Sequence, residues 1–540
     1  MHHSIRTYCK LPVLLLILFL LPHPSFAAVN NEQFTEGITI LIKGNFKEKR
    51  LAIQQIATSD DSRAKVLLQA LLAGNLYRVK KDNRLVYADI DGGKARIETV
   101  LTAEDLGLIK KRKLKKITIN NSLRGYLKTS LARIDLRDPD STIRLQAVSL
   151  LIVSLTPEDS ILLSELLLTE TDSKVREELA TARDIATLRS KDRQTILTAL
   201  GNLRGNLDPA VRNEVSTLLA QDNLDESLRK EALAVQRSIQ SKVSFFGLVE
   251  KLFFGLSLGS VLVLAAIGLA ITFGVIGVIN MAHGELIMLG AYTTYVIQQL
   301  MPGYIGLALF LSIPAAFLVS GITGIIIERS VIRFLYGRPL ETLLATFGIS
   351  LILQQTVRSI FSPLNRSVAT PAWMSGSIQI NPILSLTTNR ITILIFSLLV
   401  FAGLYLLLRK SSLGLQVRAV SQNRAMARAM GVQAAKVDAL TFGLGSGIAG
   451  IAGVALAQLT NVGPNLGQAY IIDSFMVVVF GGVGNLWGTL IGGLTLGVAN
   501  KFIEPWAGAV LAKIIILIFI ILFIQKRPQG LFPQKGRAAE

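Results

Sequence analysis

Cysteine is almost absent. Cys9 stands alone in 540 residues, so no disulfide framework exists. Only four histidines occur, and none shares a Cys/His spacing that would hold a metal. No G-x-x-x-x-G-K-[ST] phosphate loop is present, so ATP hydrolysis by that route is excluded. No H-E-x-x-H pair and no Ser/His pairing in the apolar runs supports an intramembrane protease. Acidic residues are scarce beside basic ones, 37 against 56, for a net charge of +19. No aromatic-interleaved basic patch accompanies that excess, so nucleic acid is not the partner it indicates. Charge of either sign is itself unevenly spread: roughly 66 charged residues precede residue 245 and roughly 27 follow it. The first part suits water and the second suits lipid. The excess Lys and Arg then belong in loops facing the cytoplasm and the lipid headgroups.

Residues 1–27 read as an export signal. Arg6 and Lys10 precede an apolar core of about 11 residues, Leu11 to Leu21, too short to span a bilayer. Ser25-Phe26-Ala27 offers small residues for cleavage. Residues 28–244 then form an exported, mostly helical domain. One phrase recurs in it: Asp140-Ser-Thr-Ile-Arg144, Asp172-Ser-Lys-Val-Arg176, Asp208-Pro-Ala-Val-Arg212 and Asp225-Glu-Ser-Leu-Arg229. The Asp is a good N-cap, the aliphatic residue faces a neighbouring helix, and the Arg is placed to reach back to an Asp. The spacing is that of two-helix solenoid repeats and predicts a short HEAT-like array, with an ordinary amphipathic bundle as its alternative. Residues 76–120 break the pattern with short β-like alternation around Asp91-Gly92-Gly93, which predicts a small β insertion.

Residues 245–540 alternate apolar runs and short turns, giving an all-α polytopic membrane domain of about eight or nine spans. Residues 471–502 read as paired half-helices. Arg329, Arg333 and Arg338 mark one cytoplasmic loop, Arg409 to Lys436 another, and Lys526, Arg527, Lys535 and Arg537 a cytoplasmic C-terminus. An odd number of crossings, nine, satisfies this orientation, and places the proline-bearing loop near 362–390 outside.

Within the first spans, Gly277-Val-Ile-Asn280-Met-Ala-His283-Gly-Glu285 puts three polar side chains at membrane depth, where an ionisable group marks function. A short echo, Gly482-Val-Gly-Asn485-Leu, follows about 205 residues later and suggests broken helices in two halves around a midplane site. His283 reads first as a structural hydrogen bond to a neighbouring helix. Asp473 is either a pathway acceptor or, by preference, the partner of Lys501, because a lone buried charge is costly. Gly445-Ser-Gly447-Ile-Ala-Gly450 matches the dinucleotide fingerprint by letter but lies inside an apolar span, where small residues let helices approach. The Ala-rich basic stretch 411–436 reads as a helix along the membrane face ended by Gly431: an anchor, or a coupling helix that docks on a cytoplasmic ATPase.

At these residues the chain resembles a known family. Asn280-x-Ala-His-Gly-Glu285 with Met288-Leu-Gly-Ala-Tyr292, and Gly414-Leu-Gln-Val-Arg418-Ala-Val-Ser-Gln-Asn423 with Gly431-Val, are similar to the permeases of branched-chain amino acid ABC importers. The exported segment, the run Tyr470–Thr489 and the tail Phe523–Phe532 resemble the urea importer branch. The resemblance implies a subunit of an ABC importer in the bacterial cytoplasmic membrane, with branched-chain amino acids as the alternative cargo to urea. It implies a second related permease, two cytoplasmic ATPases that bind the ATP, and an exported binding protein as partners, and no cofactor in this chain. Polarity at membrane depth makes Asn280, His283, Glu285, Asn485 and Asp473 the residues expected along the substrate pathway, and the Ala-rich basic stretch supplies those expected at the ATPase contact, Gly414, Arg418, Asn423, Arg424, Arg428 and Gly431.

Overall fold

A computed structural model describes residues 32–59 and 61–533. The export signal read at 1–27, and Lys535 and Arg537, lie outside the described residues. Contacts divide the chain into two compact units, Met1–Ile239 and Gln240–Glu540.

In the first unit, α1 (Glu32–Lys43), α2 (Phe46–Thr58) and α3 (Ala64–Ala73) precede five strands. These are β1 (Leu76–Val79), β2 (Leu85–Asp91), β3 (Lys94–Thr99), β4 (Asp105–Lys110) and β5 (Leu114–Lys116), an antiparallel sheet of order β4-β3-β2-β1-β5. This is the insertion expected at 76–120. Asp91 pairs with Lys94 across the β2–β3 turn, and Gly92 takes φ 58°, which glycine adopts without steric cost. Val79, Val86, Ala88, Ala95, Ile97 and Leu114 cluster in the sheet's own apolar core.

The repeat follows as α4 (Asn121–Asp135), α5 (Ser141–Leu151), α6 (Asp159–Thr169), α7 (Ser173–Leu188), α8 (Arg193–Asn202) and α9 (Pro209–Leu219). Each recurring Asp caps a helix: Asp140 accepts the Thr142 N–H at 2.8 Å, Asp172 that of Lys174 at 2.9 Å, Asp208 that of Ala210 at 2.7 Å and Asp225 that of Ser227 at 2.9 Å. Helices α5, α7 and α9 touch in succession, with α6 and α8 packed on α7, as a two-helix repeat requires. The arginines depart from expectation. Arg144 pairs with Glu170 at 2.8 Å and donates to the carbonyls of Asp138 and Pro139; Arg176 donates to the carbonyl of Glu170. Because the Asp carboxylates are occupied by N-terminal amides, the guanidiniums bind carbonyls and the glutamate between repeats. Hydrogen bonds from Arg144 and from the Thr171 and Asp172 amides hold the Glu170 carboxyl down at about 2.

The unit boundary falls inside α10 (Glu226–Ile276). The second unit continues with α11 (His283–Leu300), α12 (Ile305–Ser330), α13 (Pro339–Phe361), a small hairpin of β6 (Ser377–Gln379) and β7 (Ser385–Thr387), and α14 (Thr388–Lys410). Then come α15 (Ser412–Gln422), α16 (Arg424–Ala429), α17 (Ala434–Ala457), α18 (Leu466–Gly481) and α19 (Leu486–Lys526). Helix α19 is broken at Gly508, φ 78°, just after Pro505. Among the described residues seven helices are long and apolar enough to cross a membrane, α19 counting as two, Leu486–Ala507 and Ala509–Lys526. Reaching nine takes α11, 18 residues, and α18, 16 residues. At 1.5 Å per residue both fall short of a bilayer core of about 30 Å. The half-helix pair expected over 471–502 is corrected accordingly: α18 is short, but its follower runs a full 22 residues to Ala507.

Helix α17 packs on α10, α11 and α12 through its glycines. A Cβ on Gly450 would lie 2.4 Å from the Ala316 carbonyl, one on Gly453 2.0 Å from that of Ile287, and one on Gly445 2.6 Å from that of Gly268. The dinucleotide-like letters are therefore a close-packing stripe between membrane helices, as expected of small residues there.

Candidate functional site

The chain leaves helical geometry at Gly277, φ 72°, and re-enters it at His283. Asn280 organises the re-entry: its Oδ1 accepts the Ala282 N–H at 3.0 Å. The echo repeats the device. Gly482 takes φ 105° between α18 and α19, and Asn485 Oδ1 accepts the Gly488 N–H at 3.2 Å to cap α19. Both glycines interrupt the helical run; Asn485 caps the helix that follows, whereas Asn280 orders the turn one residue before α11. The two breaks meet closely, since a Cβ on Gly274 would lie 2.4 Å from the Gly484 Cα.

From the first break, α11 is inserted against α12, α17 and α18, with Gly284 against Gly467 and Gly290 against Gly450. His283 Nε2 lies 2.8 Å from the Ala265 carbonyl of α10, the structural role expected of it. Glu285 faces α13, where Ser350 donates to its Oε1 at 3.1 Å. Two turns on, Tyr292 packs on Phe361 of α13, ring centroids 4.8 Å apart. Asn280 and His283 are fully buried and Glu285 is 1% exposed, yet Asn280 Nδ2, His283 Nδ1, Glu285 Oε2 and the Tyr292 hydroxyl have no hydrogen-bond partner. Each such group costs roughly 1–3 kcal/mol, more when charged, so four of them along the break and the helix that follows are a reserve of polar capacity rather than packing.

The facing surface was missed by sequence reasoning. Thr342, Thr346, Ser350, Gln354 and Arg358 recur every fourth residue down one side of α13. Thr346 Oγ1 accepts the Met281 N–H at 3.1 Å, at the break itself. Gln354 donates to the Pro464 carbonyl and Asn465 Oδ1, both at 3.2 Å, and Arg358 donates to Asn465 at 2.7 Å. The other side of α13 exposes Leu344, Phe347, Leu351 and Ile352. A polar stripe at period four on an otherwise apolar helix was the available signal.

The remaining pathway residues lie elsewhere. Asn485 donates to the Phe532 carbonyl at 3.3 Å and lines a cleft of about 780 Å³ with Arg409, Arg418 and Gln422. Asp473 is bonded to Lys513 at 2.8 Å, not to Lys501, which pairs with Glu504 one turn away. The break at Gly508 allows the chain after it to bring Lys513 to α18. Asn485 and Asp473 thus stand outside the Asn280–Glu285 cluster.

The basic stretch forms two short helices, α15 and α16, where one was expected, because Asn423 ends the first and caps the second through the Met426 N–H at 2.9 Å. Gly431, φ 86°, ends α16: its N–H bonds the Arg428 carbonyl and the Val432 N–H bonds that of Ala427. Gly414 packs on the backbone of Leu408, and Arg418 donates to the same carbonyl, closing the end of α14. Arg424 is bonded to Asp438, a fully buried carboxylate at the fifth residue of α17, and lies 4.5 Å from the centre of the Tyr336 ring. Arg428 is exposed with Leu415, Met426 and Met430, three large apolar groups pointing outward.

A helical bundle restarted at two glycine-asparagine breaks, with a polar seam between spans and basic helices at one edge, defines a polytopic membrane permease. The chain belongs to the branched-chain amino acid transport system permease component family, whose model matches residues 251–524. It is 32% identical over 299 residues to the high-affinity branched-chain amino acid transport system permease protein LivH of Salmonella typhimurium, covering 53% of this chain and 96% of that one. It is 31% identical over 294 residues to the corresponding protein BraD of Pseudomonas aeruginosa, covering 52% and 95%. A more distant relative is the ribose import permease protein RbsC of Escherichia coli, 28% identical over 281 residues, covering 50% and 83%. No solved structure matches the chain. The family is one of transport subunits of ABC importers, multi-pass in the inner membrane.

Proposed function

We propose that this chain is the translocating subunit of an ATP-driven importer of branched-chain amino acids, and that the solute passes along the seam between the start of α11 and the polar side of α13. The single observation that carries the pathway is Glu285: a buried carboxylate with one oxygen on Ser350 and the other unpartnered. A free carboxylate oxygen is an acceptor for an ammonium group. Arg358, on the same seam, supplies the opposite charge. Eight residues of helix separate Ser350 from Arg358, about 12 Å, too far for one zwitterion to touch both ends. They serve as successive stations. The apolar neighbours Met288, Ile349 and Leu353 suit an aliphatic side chain. A neutral diamide such as urea can hydrogen-bond this pair but gains less from two opposite charges than a zwitterion does, which moves the cargo reading from urea to an amino acid, in line with the names of the relatives.

Urea stays as the second reading on one observation. The match uses nearly all of the branched-chain relatives, leaving the HEAT-like unit of this chain outside it. Partners follow the same proposal: a second related permease, ATPases that seat on Leu415, Met426 and Met430, and an exported binding protein. The HEAT-like unit then lies outside and α15 and α16 inside. The test is uptake of labelled leucine and labelled urea by proteoliposomes holding the chain with its partner subunits. ATP-dependent leucine accumulation supports the first reading; urea accumulation unaffected by leucine replaces it with the second.

A further inference from the structure

At the membrane edge opposite α15 and α16, a slot of about 240 Å³ opens between α12, α14 and α17. Leu309, Ile313, Ile393, Phe396 and Ala455 wall it with hydrocarbon. Trp373, from the segment before β6, stacks on Phe310 with centroids 6.0 Å apart and roofs one end. Phe310, Trp373, Ile395 and Leu399 are each at least half exposed, so the mouth faces the acyl region of the bilayer.

One group contradicts these walls. Gln458, which closes the C-terminal end of α17, lines the slot, is 6% exposed, and has no partner for either its amide nitrogen or its amide oxygen. An unsatisfied carboxamide in an apolar slot is costly, and a leucine there would remove the cost. Polarity is also graded along the slot. Gln458, Thr392 and the Trp373 indole sit where α17 ends and α14 begins, at the membrane edge; Ile313 and Leu399 lie the ninth and twelfth residues into α12 and α14. A tryptophan at that level is the usual marker of the interface.

We propose that the slot holds one acyl chain of a membrane phospholipid, its ester oxygen accepting from Gln458 Nε2 and a headgroup hydroxyl or ammonium donating to Oε1. The gradient matches such a lipid in order and direction, polar at the edge and hydrocarbon inward, and the lining takes no residue from α11 or α13. The bound chain fills the gap between α12 and α14 beside α17, the helix on which α11 and α12 also pack.

Native mass spectrometry of the full-length chain with its partner subunits, delipidated and then supplied with dioleoyl-phosphatidylglycerol, tests this. The expected result is one retained phospholipid per chain. Ala455→Phe fills the slot and abolishes retention; Leu344→Phe, on the lipid face of α13, leaves it intact. Gln458→Leu lowers retention about 25-fold, about fivefold for each of the two hydrogen bonds it removes. Full retention by Ala455→Phe, or none by the native chain, overturns the proposal, as does a helix of the second permease found in the slot. Should Ala455→Phe not be recovered, Gln458→Leu decides: retention equal to native overturns it.

Discussion

Glu285 sets the residue scale. Its carboxylate is buried against one hydroxyl, and Glu285→Gln keeps the shape while removing the charge. Uptake by that variant is expected to fall at least about tenfold, the loss of one charge-assisted hydrogen bond, with membrane insertion unchanged by blotting of isolated membranes. Ser350→Ala gives a smaller loss. Glu170 supports a prediction of a different kind. Its folded pKa of about 2 lies below the unfolded value of about 4.3, so its contribution is complete above the unfolded value and disappears as pH falls toward 2. Protection factors for hydrogen exchange in α5 to α7, corrected for the intrinsic pH dependence, should fall over that window in the native chain, and Glu170→Gln should show the lower protection already at neutral pH. Asn280, His283 and Glu285 were legible because polar letters in an apolar run stand out. The α13 stripe was not, because Thr, Ser and Gln are each unremarkable in a membrane helix and only their recurrence at four tells. The true partner of Asp473 was hidden for another reason: Glu504 claims Lys501 locally, and only the break at Gly508 lets Lys513 take its place.

Among elements, the breaks carry the most consequence. Gly277 and Gly482 both take positive φ, and an asparagine follows each three residues on: Asn485 caps α19, and Asn280 holds the Ala282 amide in the turn before α11. A five-letter echo in the sequence proved to be a repeated structural device. The basic stretch was legible as helix and as ended by Gly431, while its division at Asn423 was not, since asparagine's capping role competes with helix only once the following turn is in place. Gly431→Val forces a branched residue to φ near 86° and should cost roughly 1–2 kcal/mol at that turn, read as lower ATPase binding by the detergent-solubilised permease. Gly450→Val is harsher. With backbone 2.4 Å from the added carbon, α12 and α17 must separate, and loss of monodisperse protein in size-exclusion chromatography is expected.

The whole molecule joins a polar seam to a basic edge through α17. Asp438, the fifth residue of α17, holds Arg424 of α16, and the later glycines of α17 seat α11, which carries Glu285. Movement imposed on α16 therefore has a bonded route to the seam. Asp438→Asn is expected to leave ATP hydrolysis by the partner subunits in place while uptake per ATP falls, measured side by side in proteoliposomes. The outline of this architecture, a HEAT-like unit with a small sheet followed by a broken-helix bundle, was readable from the Asp caps, the turn at Asp91-Gly92-Gly93 and the charge contrast around residue 245. The count of crossings was less so: the sequence shows an apolar run at each of α11 and α18, but both helices are short for a bilayer.

The central claim is that a solute crosses between α11 and α13. Its most direct test is thiol accessibility at Ser350→Cys in the assembled, ATP-driven complex, with Cys9 replaced and Ile352→Cys on the lipid face as reference. The account predicts that a small, charged, water-soluble thiol reagent modifies Ser350→Cys during turnover, that transported leucine slows the modification, and that Ile352→Cys stays unmodified. No modification of Ser350→Cys in any nucleotide state would contradict it.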